Sequence, residues 1–300
     1  MSDAPSVPRT PAREIAAQLE CWTGTVDPQP LGGGITNTNF VVRDGEDTFV
    51  VRIGSDLPIH GIVRSHEAAV CRAAHACGLS PEIVHNEPGA LVMRYIEAKT
   101  LTDADFREPE TLERIVELLR RCHADMRLHL EGATLMFWVF QVCRNYLATA
   151  SNGDCRVADR LADLSQMNEA LERVVGPIQP AFCHNDLLPA NLLDDGEKLW
   201  LLDWEYAGWN TPLFDLANLA SNSQMDHSQE LSLLETYFGR VHEGPELAQF
   251  QALKAASLLR EMLWSLVQER HSSLEFNFEG YTDKHLDQFE TAYRSLDLDG

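Results

Sequence analysis

Alternation of apolar and polar residues in the first third of the chain predicts a small antiparallel sheet. Apolar positions alternate through residues 40–42, the Asp44-Gly45 dipeptide is a hairpin turn signal, and residues 49–53 have the pattern of the return strand. Residues 82–96 repeat this pattern, with a turn at residues 86–89. We therefore expect two β-hairpins.

Helical spacing of apolar residues accounts for most of the remaining chain. Residues 61–77 have this spacing, and Gly78 is positioned to cap the helix. Residues 112–126 form a longer amphipathic pattern, and helical spacing then continues to the C-terminus, interrupted by the strand-like residues 181–203. Residues 11–21 predict a short helix ahead of the sheet.

A sheet-rich beginning followed by helices is typical of an α+β protein with two lobes and a cleft between them. We predict that residues 1–94 form the small antiparallel-sheet lobe and that residues 95–300 form the larger, mainly helical lobe. The cleft is expected near residue 95.

Composition narrows the classes of partner. The chain has 300 residues, with 24 basic and 46 acidic side chains and a formal charge of -22. This charge argues against binding a nucleic-acid backbone or an anionic membrane surface, both of which need positive charge. It is compatible with a cationic substrate, although an acidic surface is also a common solubility feature.

Cysteine usage and the N-terminus indicate a cytoplasmic protein. The seven cysteines are scattered and include no CxxC pair, which suits a reducing compartment. The first ten residues contain no apolar stretch of the kind found in secretory signals, and the apolar run LMFWVF at residues 135–140 is too short to span a bilayer. The oligomeric state stays open, with a homodimer as one option.

Two short stretches carry candidate chemistry. In HNDLLPANLL, Asp186 is followed five residues later by Asn191, and Asp203 ends the apolar stretch LWLLD. Kinases use the same order of an Asp, four residues, an Asn and then a second Asp to orient the hydroxyl proton and to bind Mg²⁺ through oxygen. We predict that Asp186 is the base and that Asn191 and Asp203 are metal ligands. The structural alternative for the loop is an Asx turn.

Upstream residues supply the remaining parts of a kinase site. A kinase needs a basic residue on its third strand and a glutamate on the next helix to orient it. Arg52 in FVVRI and Glu67 fit these two roles, although Arg52 could be an ordinary surface residue. The glycine-rich loop at residues 32–34 and its polar neighbours could donate to phosphate. Arg52 joins Asp186 as a catalytic candidate. The expected nucleotide contacts are Gly33, Gly34, Asn37, Thr38, Asn39, Arg52, Glu67, Arg94 and Ile96.

Long stretches of the chain resemble the choline/ethanolamine kinases of the aminoglycoside-phosphotransferase-like group. The resemblance extends from about Leu31 to about Tyr293 and includes FCHNDLLPANLL, LWLLDWEYAGWNTPLFDLANL and ASLLREMLWSLVQERHSSLEFNFEGY. It implies a protein-kinase-like fold, ATP and Mg²⁺ as co-substrates, and γ-phosphate transfer to the hydroxyl of a small cationic amino alcohol. Choline is the first expectation for that acceptor.

Aromatic residues near the family's choline pocket fit a quaternary ammonium group, because such a group cannot donate hydrogen bonds and is held by ring faces and negative charge. Trp264 could equally be a core residue of an apolar helix, Tyr281 follows a stretch that we expect to be irregular, and Glu205 could instead pair with a basic group. The expected substrate-binding residues are Glu205, Tyr206, Trp209, Trp264 and Tyr281.

Two departures from the family pattern keep other acceptors open. Asn222 stands where family members commonly carry a pocket glutamate, and Val267 stands where animal members place a second tryptophan. Ethanolamine and thiamine therefore stay as alternatives, and so does an aminoglycoside, although a polycation favours acidic loops over aromatic faces. A catalytically inactive kinase-like module is the third alternative, and it usually lacks the base or a metal ligand.

Overall fold

A computed structural model describes residues 11–32, 36–240, 243–272, 274 and 276–298. The first part of the chain forms a five-stranded antiparallel sheet with the strand order β1-β2-β3-β5-β4. Its strands are β1 Gln29–Leu31, β2 Thr38–Asp44, β3 Asp47–Ile53, β4 Ile83–Glu87 and β5 Ala90–Arg94. The two predicted hairpins are confirmed as β2–β3 and β4–β5, whereas the sequence pattern missed β1.

Alternation along the strands buries one face of this sheet. Phe40, Val42, Phe49 and Val51 lie in a small core, which the helix α1 Ala12–Ala17 covers. The helix α2 Arg64–Ala76 belongs to the larger core of the molecule, and it begins three residues later than the predicted 61–77.

The remaining chain is mainly helical. Its helices are α3 Pro109–Asp125, α4 Val139–Ser151, α5 Leu161–Val175, α6 Pro212–Asn222, α7 His227–Phe238, α8 Pro245–His271 and α9 Phe278–Arg294. Helix α8 is the central element, because it packs against α4, α5, α6 and α9 and is buried almost continuously from Phe250 to Gln268. The two-lobe α+β prediction is confirmed. No helix among the described residues has both the length and the apolar character needed to cross a bilayer.

Short strands interrupt the helices where the sequence predicted a strand-like region. They are β6 Lys99–Thr100, β7 Ala181–Cys183, β8 Leu192–Asp194, β9 Leu199–Leu201 and β10 Gly208–Asn210. Strands β6, β8 and β9 form one antiparallel sheet, and β7 pairs with β10. These pairings place the loop between β7 and β8 beside the segment that follows β9.

Candidate active site

The loop between β7 and β8 and the segment that follows β9 each contain a residue with an unusual backbone conformation. Asn185 and Asp203 have left-handed φ angles of 67° and 66°, a conformation that is uncommon for residues other than glycine and is enriched at functional sites. The Asn185 side chain donates to the carbonyl oxygens of Tyr206 at 3.1 Å and Gly208 at 3.3 Å, and it accepts from Asn210 at 2.9 Å. The loop is therefore fastened to the segment that follows Asp203.

Asp215 anchors the same loop from helix α6. Its fully buried carboxylate accepts the backbone N–H of His184 at 2.8 Å and that of Asn185 at 2.7 Å. The ring nitrogen Nε2 of His123 lies 2.9 Å from the same carboxylate. The Cys183 thiol is close enough to make a metal-like group with His123 and Asp215, but these hydrogen bonds already explain the carboxylate as a support of the loop.

Asp186 lies in this loop and is paired with a buried arginine. Nη1 of Arg260, on helix α8, donates to Oδ1 of Asp186 at 3.0 Å and also pairs with the neighbouring Glu261. Burial raises the pKa of the Asp186 carboxyl to about 7; the Arg260 charge opposes this rise, and Glu261 adds to it. Asp186 therefore has the properties of a proton acceptor that is poised near neutral pH.

Asn191 and Asp203 present oxygen atoms beside Asp186. The Asn191 amide nitrogen donates to the Asp186 carbonyl at 3.0 Å, which leaves its amide oxygen without a partner among the described residues. The Asp203 side chain is 30% exposed, although Arg52 donates to its Oδ1 at 2.9 Å. An amide oxygen and a reachable carboxylate are ligands that Mg²⁺ prefers, so the residues present fit this ion.

A network of largely buried ion pairs joins the five-stranded sheet and α2 to the segment that follows β9. Arg52 on β3 pairs with both Glu67 on α2 and Asp203. Arg64 donates to Glu67 at 2.7 Å and to Glu205 at 2.9 Å. Burial raises the pKa of Glu205 to about 7, Asp203 adds to this rise, and the charges of Arg52 and Arg64 oppose it. The basic residue and the helix glutamate predicted from the sequence are therefore in contact.

A cavity of about 390 Å³ lies between the sheet and the loop at residues 184–191, which connects β7 and β8 and is called the catalytic loop below. It brings together six of the residues predicted for nucleotide or metal binding, namely Asn39, Arg52, Arg94, Ile96, Asn191 and Asp203. Glu67 reaches this site through Arg52, whereas Asn37 and Thr38 are not among the lining residues. The predicted contacts Gly33 and Gly34 lie outside the described residues.

The predicted acceptor residues separate into two groups. Trp264 and Tyr281 meet at an angle of 68° with ring centroids 6.2 Å apart, and the Tyr206 ring lies 4.4 Å from the Arg260 guanidinium. By contrast, Glu205 is bound to Arg64 and to the Thr36 hydroxyl, which donates at 2.9 Å. Trp209 packs edge-on against Phe182 and donates to Thr134 at 2.7 Å.

Tyr281 lies in a helix, whereas the sequence pattern predicted an irregular stretch directly before it. The Asn277 side chain accepts the backbone N–H of Gly280 at 3.0 Å and caps helix α9, so Tyr281 lies in the first turn of that helix. Its hydroxyl donates to Glu261 at 3.1 Å. Trp264 and Tyr281 together are called the aromatic corner below. Because Trp264 is only 7% exposed, it also contributes to the core.

Sequence reasoning missed the partners of the predicted residues. Arg64, Arg260, Glu261 and Asp215 were not singled out, yet each contacts a predicted site residue or its loop. The available signal was the charged pair Arg260-Glu261 inside the apolar stretch LLREMLWSL, because charged residues are seldom buried without partners.

Comparison with known proteins places this geometry among small-molecule kinases. The family model for choline/ethanolamine kinase matches residues 29–237. The protein LicA of Haemophilus influenzae is 30% identical over 266 residues, which cover 85% of this chain and 76% of LicA. Ethanolamine kinase 2 of Rattus norvegicus is 26% identical over 287 residues, with 85% of this chain and 73% of that protein covered.

A solved structure agrees with these matches. The crystal structure of a choline/ethanolamine kinase family protein from Mesorhizobium loti has a TM-score of 0.75 and 30% sequence identity, and it covers 94% of this chain and 93% of its own. Its similarity therefore includes both the sheet-rich and the helical parts, as expected for a protein-kinase-like fold.

Proposed function

The chain belongs to the choline/ethanolamine kinase family and is a small-molecule kinase, and we propose that it transfers the γ-phosphate of ATP to the hydroxyl of choline in a Mg²⁺-dependent reaction. Residues 1–94 would bind most of the nucleotide, and residues 95–300 would carry the catalytic loop and the acceptor pocket. One observation carries the proposal: Asn191 and Asp203 line the same cavity as Arg52, and the Asn191 side chain donates to the carbonyl oxygen of Asp186 in the same loop.

Each of these residues has a role that its contacts support. Asp186 accepts or orients the proton of the acceptor hydroxyl, because it is the buried carboxylate of the loop and its pKa is raised to about 7. Arg52 contacts the phosphates, and Glu67 holds its guanidinium in place. Asn191 and Asp203 would hold Mg²⁺, which neutralises phosphate charge when it is bound.

The choice of choline rests on the aromatic corner. Trp264 and Tyr281 are adjacent aromatic rings, and Tyr281 bonds to Glu261, which shares Arg260 with the base. Aromatic rings attract a cation that cannot donate hydrogen bonds. Ethanolamine is the second candidate, because a relative that covers 85% of this chain is named ethanolamine kinase 2. A polycationic aminoglycoside would gain less from such a corner than from open acidic loops.

An ADP-release assay tests the proposal directly. The wild-type enzyme is supplied with ATP and Mg²⁺ and with choline, ethanolamine, thiamine or an aminoglycoside in turn, and Asp186→Asn serves as the matched inactive variant. We expect acceptor-dependent ADP release with the highest kcat/KM for choline, and a loss of at least about 10²-fold in the variant, as is typical when a general base is removed. Higher kcat/KM for another acceptor would overturn the choice of choline. If none of the four acceptors produced ADP release, the proposed activity would be overturned.

A further inference from the structure

Two buried carboxylates share one cation at the acceptor side of the catalytic loop. Arg260 pairs through the same nitrogen, Nη1, with Asp186 and with Glu261. Two hydrogen bonds of about 3 Å to a common nitrogen place their acceptor oxygens no more than about 6 Å apart. Glu261 therefore lies within reach of a small molecule whose hydroxyl contacts Asp186.

The charges of this cluster do not balance. When ionised, Asp186 and Glu261 contribute two negative charges, and Arg260 contributes one positive charge. A buried charge without a partner is costly, so such a cluster is neutralised by a proton, an additional ion or a charged ligand. The side chains of Asp186 and Glu261 remain 12% and 7% exposed, respectively, so both carboxylates keep some access to solvent.

The neighbours of Glu261 suit an organic cation better than a metal ion. Tyr281 donates to one Glu261 oxygen at 3.1 Å, and the Trp264 ring meets the Tyr281 ring at 68°. Aromatic faces beside a carboxylate attract an ammonium group, whereas Mg²⁺ requires several oxygen ligands.

We propose that the Glu261 carboxylate is the counter-ion of the acceptor's ammonium group and determines the selectivity of this enzyme for cationic alcohols. The inference rests on the proposed phosphotransfer to an amino alcohol. Two carbon atoms separate the hydroxyl and the ammonium group of such a molecule, so it can contact Asp186 at one end and Glu261 at the other. Glu261 thus adds charge recognition to the aromatic corner of Trp264 and Tyr281.

A neutral acceptor that copies the shape of choline isolates this effect. In 3,3-dimethylbutan-1-ol a carbon atom replaces the nitrogen of choline, so the two alcohols differ in charge and hardly in size. We would measure kcat/KM for both alcohols at saturating ATP and Mg²⁺, with wild type, Glu261→Gln and Glu269→Gln. Glu269 is the matched control, because it lies two turns further along α8, is also a glutamate in an ion pair, and pairs with Arg156 instead of Arg260.

The expected result is a change in the ratio of the two kcat/KM values. The preference for choline over the neutral alcohol should fall by at least about tenfold in Glu261→Gln, which corresponds to about 1.4 kcal/mol, and it should not change in Glu269→Gln. Glu261→Asp, which keeps the charge but withdraws it by one methylene, should give an intermediate ratio and is informative if the glutamine variant does not fold.

Other outcomes separate the two proposals. If Glu261 only positions Arg260, both alcohols lose kcat/KM equally and the ratio stays at the wild-type value. An unchanged ratio in whichever variant folds would overturn the role of Glu261 while leaving the kinase assignment intact. Failure of the wild-type enzyme to phosphorylate any amino alcohol would instead overturn the proposed function on which this inference rests.

Discussion

Replacing Asp215 by asparagine should destabilise the protein and slow catalysis, although Asp215 is not expected to touch a substrate. Its carboxylate is fully buried and accepts two backbone N–H groups, from His184 at 2.8 Å and from Asn185 at 2.7 Å, through different oxygen atoms. An asparagine retains only one acceptor oxygen. Its amide nitrogen would face a backbone N–H, so one buried donor would lose its partner.

The loss of stability in Asp215→Asn can be estimated from the hydrogen bonds that it changes. A hydrogen bond to a charged group contributes about 1.5–3 kcal/mol, and a buried donor left unsatisfied costs about 1–3 kcal/mol. Because these terms overlap, we expect Asp215→Asn to lower the free energy of unfolding by about 2–4 kcal/mol. Small domains are stable by about 5–15 kcal/mol, so the variant should still fold at low temperature.

Catalysis should be more sensitive than folding. The two backbone N–H groups that Asp215 binds belong to the two residues directly before Asp186. These hydrogen bonds hold Asn185 at its left-handed φ of 67°. If the loop relaxes, the base moves with it, and a displacement of about 1 Å can cost about 10²-fold in rate. We therefore expect a large loss of kcat under conditions in which the variant is fully folded.

Urea unfolding and steady-state kinetics, performed on the same samples, check both expectations. The unfolding midpoint should fall without a change in slope, which reports a loss of stability and not a change in the surface exposed on unfolding. Asp283→Asn is the matched control, because Asp283 is 63% exposed and its pair with Arg156 is worth at most about 1 kcal/mol. A wild-type unfolding free energy in Asp215→Asn would refute the assignment of Asp215 as the anchor of the loop.

The remaining predictions use other parts of the same site. Asp203→Asn should raise the Mg²⁺ concentration needed for half-maximal activity, because it weakens an oxygen ligand; an unchanged titration at normal turnover would make Asp203 structural. Trp264→Ala should raise KM for choline by several-fold to about thirtyfold, and more than KM for ethanolamine, if the ring faces the cation; equal losses with a large drop in Tm would indicate only a core role. Gly208→Ala should lower stability by about 1–3 kcal/mol in thermal unfolding, because the added Cβ would lie 2.8 Å from the carbonyl oxygen of Leu135; a wild-type Tm would contradict this. Burial raises the pKa of Asp186 to about 7, so the ionised base is lost as the pH falls through that value. We therefore expect kcat/KM to decline towards acidic pH. A flat profile between pH 6 and 8 would contradict the role of a titrating base.

Local patterns were sufficient to predict both hairpins of the sheet and helix α2. The hairpins β2–β3 and β4–β5 follow from alternation with a period of two and from glycine at their turns, and α2 follows from its helical spacing. The pattern failed where local signals conflicted. The stretch FNFEG was predicted to be irregular, but the Asn277 side chain accepts the N–H of Gly280 and caps helix α9, which begins at Phe278.

Spacing also predicted which residues would form the site. The order of Asp186, Asn191 and Asp203 indicated a loop and a strand end, and the structure brings both to the cavity that Arg52 lines. What spacing could not supply was the choice of partners. Arg260 is 74 residues from Asp186, and Arg64 is 141 residues from Glu205, so neither pair leaves any trace in a local periodicity.

A different rule connects the sequence with these partners. Helix α8 carries Arg260 and Glu261 between the buried residues Leu259 and Met262, and each ion that is moved into the interior costs several kcal/mol unless it is compensated. Such a pair requires a partner from another element, and the carboxylate of Asp186 meets Arg260. Glu261 pairs with the same guanidinium nitrogen, so two carboxylates share one cation. Under the proposed function, the second carboxylate of this cluster would attract the ammonium group of the acceptor, so the ion pair that holds the base would also contribute to substrate recognition.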